Sequence, residues 1–270
     1  MLPNLPNIRY LIIGCHAWKT VADSAIINAI ANLQHLECVA FDGLECPYID
    51  EIHSPPLPTF FDTLFNQILS SHAGQLKSLS LDLCPLQCAP GTFELLRENL
   101  KNLQVLILSA SLPMSLWQVF AQPVTWACAD RLVTLDVADI HGDYVPMLVE
   151  HIASGRFGNL KRLQINLRWS DRDQYIVTPA IEWDIRPLDV LVLDYVPRLE
   201  LEFFGRLHAK EVHVKGVPKR PMIELLHGGC FKEMIVLRVW KWDWNPVRLK
   251  ELASTCANRN AELLFQSPEM

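Results

Sequence analysis

The sequence predicts an α/β fold in the form of a curved solenoid, with parallel strands on the inner face, helices outside and about nine to ten irregular repeats. Three observations predict it. A strand-like phrase, apolar-x-x-apolar-x-apolar, recurs with middle residues Leu11, Val39, Leu79, Leu106, Leu135, Leu163, Leu191, Val212 and Leu237, and a frayed last copy at Leu263/Phe265. The interval between those residues is 21 to 29, apart from one of 40 between Val39 and Leu79, and a near-constant period in this range marks stacked repeats. Between the phrases lie segments with the 3.6-residue spacing of amphipathic helices. Alternating strands and helices would also suit a doubly wound sheet or an α/β barrel. Those folds repeat their elements without repeating their residues, so the constant phrase selects the solenoid. The whole chain, 1–270, reads as one domain.

Each element follows in order. Ile8/Leu11/Ile13 forms the first strand, and Ala22-Asp23-Ser24 caps a helix through Ile26, Ile27 and Ile30. After Leu36/Val39/Phe41 comes a connection at 46–58 with four prolines, which accounts for most of the long step; proline removes backbone donors and favours an extended surface loop. Thr59 opens a helix through Phe61, Leu64, Phe65, Ile68 and Leu69. The next strands, Leu76/Leu79/Leu81, Leu103/Leu106/Leu108, Leu132/Leu135/Val137 and Leu160/Leu163/Ile165, alternate with helical runs at 92–100, 115–128 and 144–153. Residues 168–183, with Trp169 and Trp183 around Asp171, Arg172 and Asp173, have a poor helical pattern and read as irregular. The last strands, Leu188/Leu191/Leu193, Ala209/Val212/Val214 and Met234/Leu237/Val239, are followed by helical runs at 199–207, 222–226 and 246–257.

These residues give the chain a family likeness. It resembles a leucine-rich repeat protein of the ribonuclease-inhibitor-like class, and phrases such as LPNIRYLII, LKNLQVLIL and FGNLKRLQI resemble the repeat regions of F-box and leucine-rich-repeat substrate receptors. The resemblance implies a non-catalytic protein-interaction module, in its leading version a substrate-recognition region of an F-box type ubiquitin-ligase receptor. Its alternative is a regulator or inhibitor of a GTPase or nuclease that binds through the concave face. The F-box itself would be a helical module of some forty residues, and here the first strand phrase starts at Ile8. Neither end of the chain shows a polar cap for the terminal repeat.

Composition limits the partners. Half of the residues are hydrophobic and a fifth are charged, which suits a well-packed chain. A net charge of −6 and a pI near 5.8 argue against nucleic acid or an anionic membrane, where Lys and Arg must neutralise phosphate. The N-terminus lacks the charged start and apolar block of a signal peptide, and no window suits a membrane span, so an intracellular location, cytoplasmic or nuclear, is expected. The cysteines at 15, 38, 46, 84, 88, 128, 230 and 256 form no C-x-x-C pair and read as reduced, mostly buried thiols, with Cys84 at the turn out of its strand.

No phosphate loop, G-x-G-x-x-G, nucleophile elbow or H-E-x-x-H motif occurs. Asp171-Arg172-Asp173 reads as a solvated loop and His141-Gly142-Asp143 as a turn with a helix cap. No enzyme activity, cofactor or metal is expected. The expected site is the inner strand face, where residues between the apolar positions point outward. Down the stack that face is small and mildly acidic at first. Its last repeats bring together His213, Lys215, Arg238, Trp240 and Lys241, next to Trp242 and to Asp194 and Tyr195, as the expected partner-binding surface. Arg and Trp are the residues that dominate protein hot spots. Trp242 and Trp244 either join that surface or fold back to close the end of the stack.

Overall fold

A computed structural model describes residues 7–14, 24–44, 67, 70–83, 98–109, 126–140, 145–167, 187–240 and 244–266. The chain divides into two compact units, Met1–Thr134 and Leu135–Met270. The first contains β1 (Tyr10–Gly14), α1 (Ser24–Ala31), β2 (Cys38–Leu44), β3 (Ser78–Leu83) and β4 (Val105–Ser109). Its strands pair in parallel and in chain order, so each sits beside the next. The same hydrogen bonding recurs at successive strand entries, where one carbonyl accepts two successive N–H groups. Arg9 serves Glu37 and Cys38, Glu37 serves Lys77 and Ser78, Lys77 serves Gln104 and Val105, and Gln104 serves Val133 and Thr134.

The apolar phrase builds the core of this unit. Val39, Leu79 and Leu106 are adjacent in register and 1%, 0% and 3% exposed. Burying each such side chain contributes about 1.5–3 kcal/mol. A polar ladder runs at the helix ends, where Asn102 donates to the Gly74 carbonyl at 2.6 Å and Arg131 donates to Asn102 Oδ1 at 2.7 Å. His72 is buried and fully used. Gln75 donates to its Nδ1, which leaves Nε2–H to donate to the Ile30 carbonyl at 2.9 Å.

The second unit starts within β5 (Thr134–Ile140) and continues through α2 (Val145–Ala153), β6 (Arg162–Leu167), β7 (Leu188–Asp194), α3 (Arg198–Phe204), β8 (Ala209–Lys215), α4 (Lys219–His227), β9 (Val236–Trp240), α5 (Pro246–Asn258) and β10 (Glu262–Gln266). From β6 to β10 the strands again pair in parallel and in chain order. Leu163, Leu191, Val212 and Leu237 stand in one register row with 0% exposure, which continues to Leu263. Apart from buried Leu188, Val192 and Ala209 and exposed Glu262, the alternate residues of these strands are half-buried and form the open face. Phe265 is 51% exposed although it lies on the core side, because β10 is the edge of the sheet.

Helices fall where the spacing predicts them at Ser24–Ala31, Val145–Ala153, Arg198–Phe204, Lys219–His227 and Pro246–Asn258. The last starts with Asn245, whose side chain accepts from Arg248 N at 2.9 Å, and has Pro246 at its first position. The run expected to stay helical to Cys128 does not: Trp126 to Cys128 are outside any helix, and Ala129–Arg131 forms a 3₁₀ turn. Carbonyls at Trp126 and Cys128 accept from residues three positions on, which tightens the chain into the next strand. The proline-rich connection at 46–58 and the segment 168–183 lie outside the described residues.

Candidate functional site

The expected surface takes shape on the open face of the second unit. Register sets Asp194 beside Lys215, His213 beside Arg238, and Trp240 beside Gln266. Thus Asp194, His213, Lys215, Arg238 and Trp240 are brought together on β7, β8 and β9, with Tyr195 in the turn that follows β7. Lys241 and Trp242 lie outside the described residues. Trp244 is 5% exposed and belongs to the interior.

The strand ends explain how Tyr195 is placed. The segments Asp194-Tyr195-Val196-Pro197 and Lys215-Gly216-Val217-Pro218 are equivalent turns, each with a buried valine and a proline leading into a helix. Each turn needs one residue in the left-handed region, at φ 52° for Tyr195 and φ 60° for Gly216. Glycine adopts this without cost, while a residue with a Cβ loses about 1–2 kcal/mol. Gly216 has a second reason to be glycine. A Cβ there would lie 2.4 Å from a ring carbon of Tyr195, so the ring rests on bare backbone. The Tyr195 N–H donates to the Lys215 carbonyl at 2.9 Å and ties the turns together.

That packing holds Lys215 between two rings. Its ammonium is 5.4 Å from the Tyr195 ring centre and 5.8 Å from that of Trp240, with Asp194 Oδ2 at 3.7 Å. Cation–π attraction of this kind contributes about 0.5–1 kcal/mol per contact at exposed sites.

The cluster also contains an acid that the outward columns read from the sequence missed. Glu211 Oε1 accepts from His213 Nε2 at 2.7 Å and from Arg238 Nε. Burial raises the Glu211 carboxyl, but hydrogen bonds from Arg238 and His213 outweigh it and leave the pKa below its usual value. The His213 imidazole is lowered, chiefly by burial, against the pull of Glu211. Beside them Arg162 donates to Gln164 at 3.1 Å. Asp136 on β5 is pushed up to about 6 by burial, with Arg162 opposing and Asp194 reinforcing the rise. The surface is therefore a charge-balanced network bordered by aromatic rings, and its basic groups are largely paired internally.

Among the described residues no group of three His, Cys, Asp or Glu side chains is placed to hold a metal ion. No helix among them is long and apolar enough to cross a membrane. Cys38, Cys128, Cys230 and Cys256 are free thiols, and burial pushes Cys128 and Cys256 up to about 11. Cys84 and Cys88 lie outside the described residues. No protein-family model matches this chain, and no curated protein matches it either.

Proposed function

We propose that the chain is a leucine-rich-repeat type solenoid that acts as a non-catalytic protein-interaction module, with the open face of β7 to β9 as its contact surface. The observation that carries this is Tyr195. It occupies a left-handed position that the equivalent turn fills with glycine, and it remains 46% exposed. Phe231 has the same backbone conformation, but it is fully buried, so core packing offsets its strain. The Tyr195 ring regains only part of that strain, through Gly216 and the Lys215 ammonium, and its solvent-facing half points to use of the ring in binding. Trp240 across Lys215 supplies a second large ring, and rigid aromatic side chains carry much of the energy of protein interfaces.

By its repeat phrases the leading specific version is substrate recognition for an F-box type ubiquitin ligase. Affinity capture from the native cell with the full-length gene product tests it. A ubiquitin-ligase scaffold among the captured proteins supports this version, and its consistent absence rejects it. For the captured partner, Trp240→Ala should raise Kd about 30-fold, equivalent to ~2 kcal/mol, while Tm stays within a few degrees of the parent.

A further inference from the structure

Resting on the interaction reading above, we infer that Lys215 is the receptor for a single carboxylate of the partner, carried by a glutamate or aspartate side chain next to an apolar residue. The other cations on this face are engaged: Arg238 with Glu211, and Arg162 with Gln164. Lys215 differs. No described residue hydrogen-bonds its ammonium, and Asp194 approaches only to 3.7 Å, beyond hydrogen-bond range. Its three N–H donors are thus held in place by two rings and by an ion pair with Asp194 that is too long for a hydrogen bond, with the side chain 33% exposed.

The surroundings select the ligand. Tyr195 and Trp240 offer apolar walls to either side of the ammonium, which suits the methylene stem of an acidic residue and an apolar neighbour. Asp194 already lies 3.7 Å from the ammonium, so a doubly charged phosphate would meet a carboxylate with a single cation to offset both. Phosphate recognition also draws on paired guanidinium donors, and the arginines here are already occupied. One ammonium with unused donors matches one carboxylate.

The test uses the full chain and three immobilised pools of random heptapeptides that differ only in a fixed central residue: Glu, Gln or phosphoserine. Retention on the Glu pool should exceed that on the Gln pool at least about tenfold, the scale of a hydrogen bond to a charged group. The preference should shrink as salt rises and vanish in Lys215→Met, whose melting temperature should match the parent. Equal retention on the Glu and Gln pools, lost in Trp240→Ala, would overturn the carboxylate inference and leave the binding face standing. Strongest retention on phosphoserine would overturn it in favour of phosphate. Retention on no pool would also overturn it, and the binding face would then be judged by Trp240→Ala with the captured partner.

Discussion

Replacing Gly216 with alanine should disturb both the backbone and the site, and the two effects can be separated. The residue sits at φ 60°, so a Cβ costs about 1–2 kcal/mol from the left-handed conformation alone. That Cβ would also stand 2.4, 2.6 and 3.1 Å from three ring carbons of Tyr195. One of them is the carbon that joins the ring to the chain, so the side chain must change rotamer rather than bend away. Its contact with the Lys215 ammonium, worth about 0.5–1 kcal/mol, is then lost. Gly216→Ala should therefore cost about 1.5–3 kcal/mol. Urea unfolding with an unchanged m value measures it. In a Tyr195→Ala background the ring is gone and only the backbone cost of about 1–2 kcal/mol remains. Equal losses in both backgrounds would show that the ring does not rest on Gly216, and no loss in either would refute the left-handed turn.

Leu191→Ala removes a side chain of 0% exposure from the middle of its register row and should cost about 2–5 kcal/mol in the same assay; a loss under 1 kcal/mol would contradict the buried ladder. Asp136 has a folded pKa of about 6 against an ordinary 3.8, so the folded state favours its neutral form. Its burden on stability is present above pH 6 and disappears as pH falls towards 4. Asp136→Asn should thus stabilise the chain at pH 8 by about 1 kcal/mol, allowing for solvent screening, with the gain shrinking to nothing near pH 4; a gain independent of pH would reject the assignment. Cys128 and Cys256, 3% and 1% exposed with thiols raised to about 11, should resist alkylation at pH 8 until urea unfolds the chain. Rapid modification of either in the native protein would show that its packing is wrong.

The strand ladder was legible because burial on one face of a strand fixes residue type at every second position, and Leu163, Leu191 and Leu237 repeat it without exception. The helices at 145, 198, 219 and 246 were legible from the 3.6-residue spacing of their apolar residues, and Pro197, Pro218 and Asn245 fix the starts of the last three in the structure. The outward cluster was legible by strand parity. Its charge was not. Glu211 lies two residues before His213 on the same face, and strands about 4.8 Å apart let long side chains pair across columns. Reading columns separately therefore suggested a basic end where Arg238 and His213 in fact share Glu211. The left-handed turn at Tyr195 was hidden because tyrosine is not a residue that announces it, although the Val-Pro pair it shares with Gly216-Val217-Pro218 was present as a signal. The 3₁₀ turn at Ala129–Arg131 escaped because apolar spacing alone does not mark where a helix gives way to a tighter turn.

Hydroxyl-radical footprinting of the full chain with and without its captured partner tests the central claim most directly, because it reports which face is covered. Oxidation of Tyr195 and Trp240 should fall several-fold on binding. Val247, 74% exposed on α5, should be modified equally in both samples. Protection of Val247 and the outer helices with Tyr195 and Trp240 unchanged would contradict the account and place the partner on the opposite side of the sheet.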